Sequence, residues 1–264
     1  MAGREVLIAS DRNLARTLRH FAVASGGTMV DESGLFLVSL SPTWPGPYHN
    51  AVIRLDRALA PAVVLGRAEA FFAERSAGFS VWIADHADSD LEAHAVAAGY
   101  AQFEGAGAPR MVLDHPIDPP EPPSEVTLDE VRDEVGVADY LAVTIDAYAD
   151  SFLPPEAAEA LVAGLPSLCA HDARAVVARE DGAPVAAARA VTDGPMASIQ
   201  LVGTVPAARG RGLGELVTRW AVQAAGRHGA STIVLEASEQ GRPIYRHMGF
   251  DEMSSYRWVF GPPR

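Results

Sequence analysis

The chain runs to 264 residues, long for one domain and comfortable for two, and its 48% hydrophobic and 21% charged residues describe an ordinary folded protein rather than a disordered one. A formal net charge of -13 without a local basic patch excludes nucleic acid as the expected partner. One cysteine, Cys169, cannot build a disulfide framework, the eight histidines lack metal-ligand spacing, and no apolar run nears the roughly 18 residues that span a bilayer, so neither metal nor membrane is expected.

In chain order, Met1-Ala-Gly-Arg-Glu places charge where a signal peptide would carry its apolar run, which makes a cytoplasmic protein the expectation. Residues 50–55 read as a strand, and 61–77 as a helix with Val64, Ala68, Phe71 and Phe72 on one face. A strand at 79–85, a helical stretch from Leu91 to Gly99-Tyr100 and a strand at 109–113 follow. Five of the ten residues from Asp114 to Pro123 are proline, which rules out a central strand or a helix and predicts an extended spacer. The expected domains are therefore 1–113 and 125–264, joined by a linker at 114–124.

The second half begins with a short strand at 125–131 and two helices near 137–149 and 154–164. A hairpin follows, with strands at 175–179 and 184–191 around Glu180-Asp-Gly-Ala183, and then a strand at 198–205. Leu213, Leu216, Val217, Trp220 and Ala224 make one apolar stripe of a helix. A buried-type strand at 232–238, a short helix at 242–247 and a strand at 256–260 close the chain. Strand, glycine loop, helix and strand in that order form a crossover, so 198–205 and 232–238 should run parallel. The first half repeats this order weakly, a degenerate internal repeat, but 56–60 offers no glycine where the second half has its loop.

That loop is Arg209-Gly210-Arg211-Gly212-Leu213-Gly214. Alternate glycines let backbone N–H groups converge on an anion, the following helix adds its N-terminal dipole, and two arginines add charge. The spacing is neither a Walker loop, since Gly214 is followed by Glu215 and Leu216, nor a Rossmann loop, which needs two residues before its third glycine. A glycine-rich surface turn is the plain alternative.

Residues 205–214 resemble the acyl-CoA loop of the GNAT superfamily of N-acyltransferases, R/Q-x-x-G-x-G/A after a strand that ends before proline. Residues 237–250, ending Tyr245-Arg-His-Met248-Gly249-Phe250, resemble that superfamily's second signature. The resemblance covers 196–250 strongly and 125–260 in general order. It implies an α/β (α+β) fold of two GNAT-like domains, each a mixed, mostly antiparallel sheet flanked by helices, with a splayed parallel strand pair in the C-terminal one. It resembles tandem GNAT proteins in which only one copy keeps the loop.

The same resemblance implies acetyl-CoA as co-substrate, with pantetheine along Val202, Gly203 and Thr204 and pyrophosphate on Arg209, Gly210, Arg211, Gly212, Leu213 and Gly214. Glu215 joins this cofactor-binding set or supports the helix's first turn; Ser238 hydrogen-bonds the cofactor or caps the next helix. Tyr245 is the implied general acid for the departing sulfur. Glu236 is a candidate base, directly or through water, against the plainer reading of an ion pair. Tyr140, Asp146, Tyr148 and Phe152 line an acceptor pocket or are core. The expected activity is N-acetyl transfer to a small-molecule or peptide amine in a ternary complex, by a monomer or homodimer. A non-catalytic acyl-CoA-binding or sensing protein is the alternative.

Overall fold

The computed structural model describes residues 3–41, 50–105, 107–115, 117, 121–149, 153–162 and 164–261. The first half forms α1 (Gly3–Ser25), β1 (Thr28–Glu32), β2 (Leu35–Ser39), β3 (Asn50–Arg54), α2 (Pro61–Ala73), β4 (Ser80–Ala84), α3 (Ser89–Ala97), β5 (Ala101–Gln102) and β6 (Ala108–Leu113). The second forms β7 (Val126–Glu130), α4 (Glu134–Tyr148), α5 (Pro155–Val162), α6 (Leu165–Leu168), β8 (Ala173–Glu180), β9 (Ala183–Asp193) and β10 (Met196–Thr204). It ends with α7 (Leu213–Arg227), β11 (Thr232–Glu236), α8 (Arg242–His247) and β12 (Asp251–Phe260). The proline-rich stretch falls partly outside the described residues, at 116 and 118–120; where it is described it is neither helix nor strand.

Two compact units result. Unit 1 takes the chain up to Arg110, Glu236–Arg242 and the residues from Glu252 on; unit 2 takes Met111–Leu235 and Pro243–Asp251. The proline-rich linker predicts that the last strand belongs to the C-terminal domain, yet most of β12 belongs to unit 1. It pairs antiparallel with β4, from Tyr256↔Ala84 to Phe260↔Ser80. Strand periodicity reports which face is apolar but not which distant strand supplies the partner, so this pairing was not legible.

In unit 1 the strands run β1-β2-β3-β4-β12, with β5 also on β12. The hairpin β2–β3 is antiparallel and β3–β4 is parallel at Ala51↔Ser80 and Val52↔Val81, with α2 between them in sequence. Val64, Ala68, Phe71 and Phe72 of α2 are buried as the spacing predicts, and Phe72 stacks on Phe79 at 4.7 Å. Arg54, the last residue of β3 and paired with Leu35, is buried and binds Asp88, Asp90, the Leu59 carbonyl and the Ala87 carbonyl. Helix α1, which the sequence reading left unassigned, brings Asp11 to Tyr256 and Arg57.

Unit 2 repeats the arrangement as β11-β10-β9-β8-β7. The pair β9–β10 is antiparallel, and β10–β11 is parallel at Met196↔Thr232, Ala197↔Ile233 and Ser198↔Val234. Ala175, Val176, Val177 and Ala178 of β8 are all buried, so both sheet faces are covered. One face carries Val137, Tyr140 and Val143 of α4 with Ala175, Val177 and Ala187. Helix α7 buries Leu213, Leu216 and Val217, each a contribution of about 1.5–3 kcal/mol.

Candidate active site

The centre of the site is the passage from β10 into α7. Val205 donates to the Val185 carbonyl at 3.0 Å, Pro206–Ala208 makes one 3-10 turn, and the glycine loop follows. Gly210 and Gly212 sit at φ +76° and +77°, a region L side chains avoid. A Cβ on either would meet no heavy atom within 4 Å, so glycine is required here by backbone shape and the space outside it is open. Gly212 caps α7 with no side-chain hydrogen bond, and Leu216 N–H donates to Gly212 O at 2.9 Å. The N–H groups of 213–215 are then the first-turn donors a helix leaves unpaired, and residues 209–212 before them are exposed. This is an anion site made of main chain and helix dipole.

Both arginine side chains have partners within the chain. Arg209 donates to Thr204 O at 3.2 Å and to Ala147 O at 2.9 Å, tying the end of β10 to the end of α4. Arg211 forms a two-pronged pair with Glu180, whose carboxyl it holds below the usual range. Glu215 pairs with Arg219 at 2.9 Å one helical turn on, the helix-supporting option of its two.

Below the loop, β10 leaves β11. Pairing with β11 reaches only Ser198, and pairing with β9 slips between Gln200 and Gly203. At the slip Leu201 adopts φ +48°, a strained value for a side-chain-bearing residue. Two phenols of α4 fasten this segment: Tyr140 OH donates to Leu201 O at 3.2 Å and Tyr148 OH to Val202 O at 2.9 Å. Gly203 permits the approach, because a Cβ there would lie 2.8 Å from the Ala147 Cβ. With Gly203 and Val205 directed at β9, strand alternation turns the main-chain groups of Val202 and Thr204 away from β9, into the gap. Their carbonyls already accept from Tyr148 and Arg209, so this edge offers N–H donors.

Tyr245 projects from α8 into a buried position edge-on to Phe250, with ring centroids 5.8 Å apart. Burial raises its pKa first, the neighbouring Tyr148 phenol adds to this, and a hydrogen bond with Thr218 opposes both. Tyr148 itself is pushed up to about 12 by burial, against the pull of Arg189. His247, two residues on, is exposed. Ser238 Oγ accepts from Gly241 N–H at 3.1 Å and its carbonyl accepts from Arg242 N–H at 2.9 Å, the capping option of its two. Glu236 is 12% exposed and paired with Arg110, itself 1% exposed. The carboxylate is occupied by a buried guanidinium, so the ion-pair reading of Glu236 fits the geometry.

Of the acceptor-pocket candidates, Tyr140 is core, Tyr148 is half-buried, Asp146 is exposed and Phe152 lies outside the described residues. Thr218 and the carbonyl-binding role of Tyr148 have no local sequence signal, since each depends on a group far along the chain, Tyr245 on α8 and Val202 on β10. Among the described residues no group of three or more His, Cys, Asp or Glu could hold a metal, and no helix is long and apolar enough to cross a membrane.

The model of the acetyltransferase (GNAT) family matches residues 141–250. No curated protein sequence matches the chain. Among solved structures, a GCN5-related N-acetyltransferase from Kribbella flavida is 23% identical, with TM-score 0.68 and 94% of each chain covered. A tandem GNAT protein from the clavulanic acid biosynthesis pathway is 16% identical, with TM-score 0.60 and 97% of each chain covered. A GCN5-related N-acetyltransferase from Sphaerobacter thermophilus is 14% identical, with TM-score 0.61, covering 97% of this chain and 94% of its own. At these identities the likeness is one of fold.

Proposed function

From a chain whose residues 141–250 form a GNAT-family acetyltransferase domain within a tandem GNAT fold, we propose an enzyme that moves the acetyl group of acetyl-CoA to an amine. The observation that carries this reading is the exposed start of α7, uncapped by any side chain and set behind two positive-φ glycines, at the head of the gap between β10 and β11. A diphosphate meets there a set of main-chain donors already pointed outward.

Acetyl-CoA supplies the acyl group as a thioester. The chain's own residues bind and orient it. The N–H groups of 210–214 receive the pyrophosphate, and those of Val202 and Thr204 receive the carbonyls of the pantetheine arm. Holding donor and amine together in one gap lowers the barrier by several kcal/mol through proximity. Tyr245 keeps its proton at neutral pH and delivers it to the departing sulfur. Thr218, which donates to Gly214 O at 2.7 Å, is also hydrogen-bonded with the Tyr245 hydroxyl and holds it in place.

Incubation with acetyl-CoA and a panel of small-molecule and peptide amines, following free thiol, tests the proposal. Thiol released only when an amine is present supports a ternary-complex transferase. Tight binding of acetyl-CoA with no release across the panel instead supports a non-catalytic acyl-CoA sensor.

A further inference from the structure

We propose that Tyr148 sets the length of the acyl chain, making the protein selective for acetyl over longer acyl groups. The inference rests on the placement of the thioester along Val202–Thr204 given above. With the pyrophosphate at 209–214, the arm descends β10 from Thr204 to Val202, and the acyl carbon lies at or beyond Val202. From there to Ser198, where β10 and β11 rejoin, four residues leave about 13 Å of strand edge, room in principle for a long acyl tail.

Tyr148 closes that room. Its hydroxyl is bound to Val202 O at 2.9 Å, a carbonyl that faces the gap. Its ring leans over Gly203, with Cε2 3.7 Å from where a Cβ would be. Tyr245, the residue assigned to the sulfur, has Tyr148 as an electrostatic neighbour. The ring is half-buried rather than sealed into the core. It is also held firmly: Ala147, next to it, receives Arg209, and Ala147 Cβ leaves no space for a side chain at position 203. A wall fixed at both strand and helix excludes by size.

The test compares acetyl-, butyryl- and hexanoyl-CoA on the full-length protein and on Tyr148→Ala, Tyr148→Leu and Tyr148→Phe, by Kd and by kcat/KM. Tyr148→Ala should raise the butyryl-to-acetyl ratio about tenfold or more, since methylenes admitted to a pocket are each worth up to that or beyond. Tyr148→Phe keeps the ring and should keep the wild-type ratio. If the alanine variant does not fold, Tyr148→Leu, shorter than the ring but still apolar, should show the same direction. An unchanged ratio in a folded alanine or leucine variant overturns the proposal. A wild type that binds acyl-CoA but releases no thiol defeats the transferase reading alone, because the Kd ratios still decide on Tyr148; a wild type that binds no acyl-CoA overturns both.

Discussion

Tyr245 and Thr218 share a hydrogen bond, and Thr218 in turn donates to Gly214 O at 2.7 Å. The proposed proton donor on α8 is thereby tied to the first turn of the helix that receives the diphosphate. Tyr245→Phe should lower kcat by about a hundredfold or more, the usual contribution of a positioned acid, while the Kd for acetyl-CoA changes little. Thr218→Val, which removes only the support, should give a smaller loss. Steady-state kinetics alongside calorimetry separates these effects; unchanged turnover in Tyr245→Phe would remove the residue from the mechanism.

The glycine loop gives the second prediction. At φ +77° an alanine at position 212 is strained by about 1–2 kcal/mol, and its methyl enters the space the ligand would use. Gly212→Ala should weaken acetyl-CoA binding about tenfold or more, roughly 1.4 kcal/mol, and the strain should also lower the melting temperature by about 2–8 °C. Arg211→Ala should weaken it less, because that guanidinium is engaged by Glu180. An equal loss in both variants would mean that Arg211 leaves Glu180 for the ligand.

The pH profile follows from Tyr245. Its folded pKa is raised above the ordinary phenol value of about 10, chiefly by burial. The acid therefore stays protonated through the neutral and mildly alkaline range. Rate should climb with pH as the acceptor amine loses its proton, with no falling limb below about pH 10. For stability the sign is the same: Tyr245's contribution is complete below the unfolded value and lost as pH rises through the folded one. A falling kcat/KM limb between pH 7 and 9 would count against Tyr245 as the donor.

Glu236 supplies a test of what is structural. Glu236→Gln leaves the buried Arg110 without its carboxylate partner and should lower stability by about 1–3 kcal/mol, read from denaturant unfolding. The acid limb of the rate profile should stay where it is. Loss of that limb in a fully folded variant would restore Glu236 as a base.

Much of this was legible locally. The stripe of α7, the hairpin β8–β9, the parallel pair β10–β11 and the apolar face of α2 all follow from periods of 3.6 and 2. The glycine loop was readable because positive φ demands glycine at 210 and 212. What stayed hidden depends on distance along the chain. Nothing near Tyr148 says that Val202 will come to its hydroxyl, nothing near Glu236 says that Arg110 waits opposite, and the guanidiniums of Arg209 and Arg211 look equally fit for phosphate until Ala147 and Glu180 are in place. Helix α1 carries buried polar residues, Asn13 and Thr17 among them, within its apolar face, which blurs the pattern that would have marked it.

The pairing of β12 with β4 has a consequence for how the protein is born. Tyr256 meets a partner about 170 residues upstream, the kind of long-range contact that forms late. At roughly 5–20 residues per second on the ribosome, β4 waits about 10–30 s with that edge bare. Unit 2, whose last residue is Asp251, has emerged before the strand that finishes unit 1. The usual N-to-C order of maturation is thus reversed for these two units: unit 1, begun first, is completed after unit 2, and a premature stop just before Tyr256 injures the unit made first.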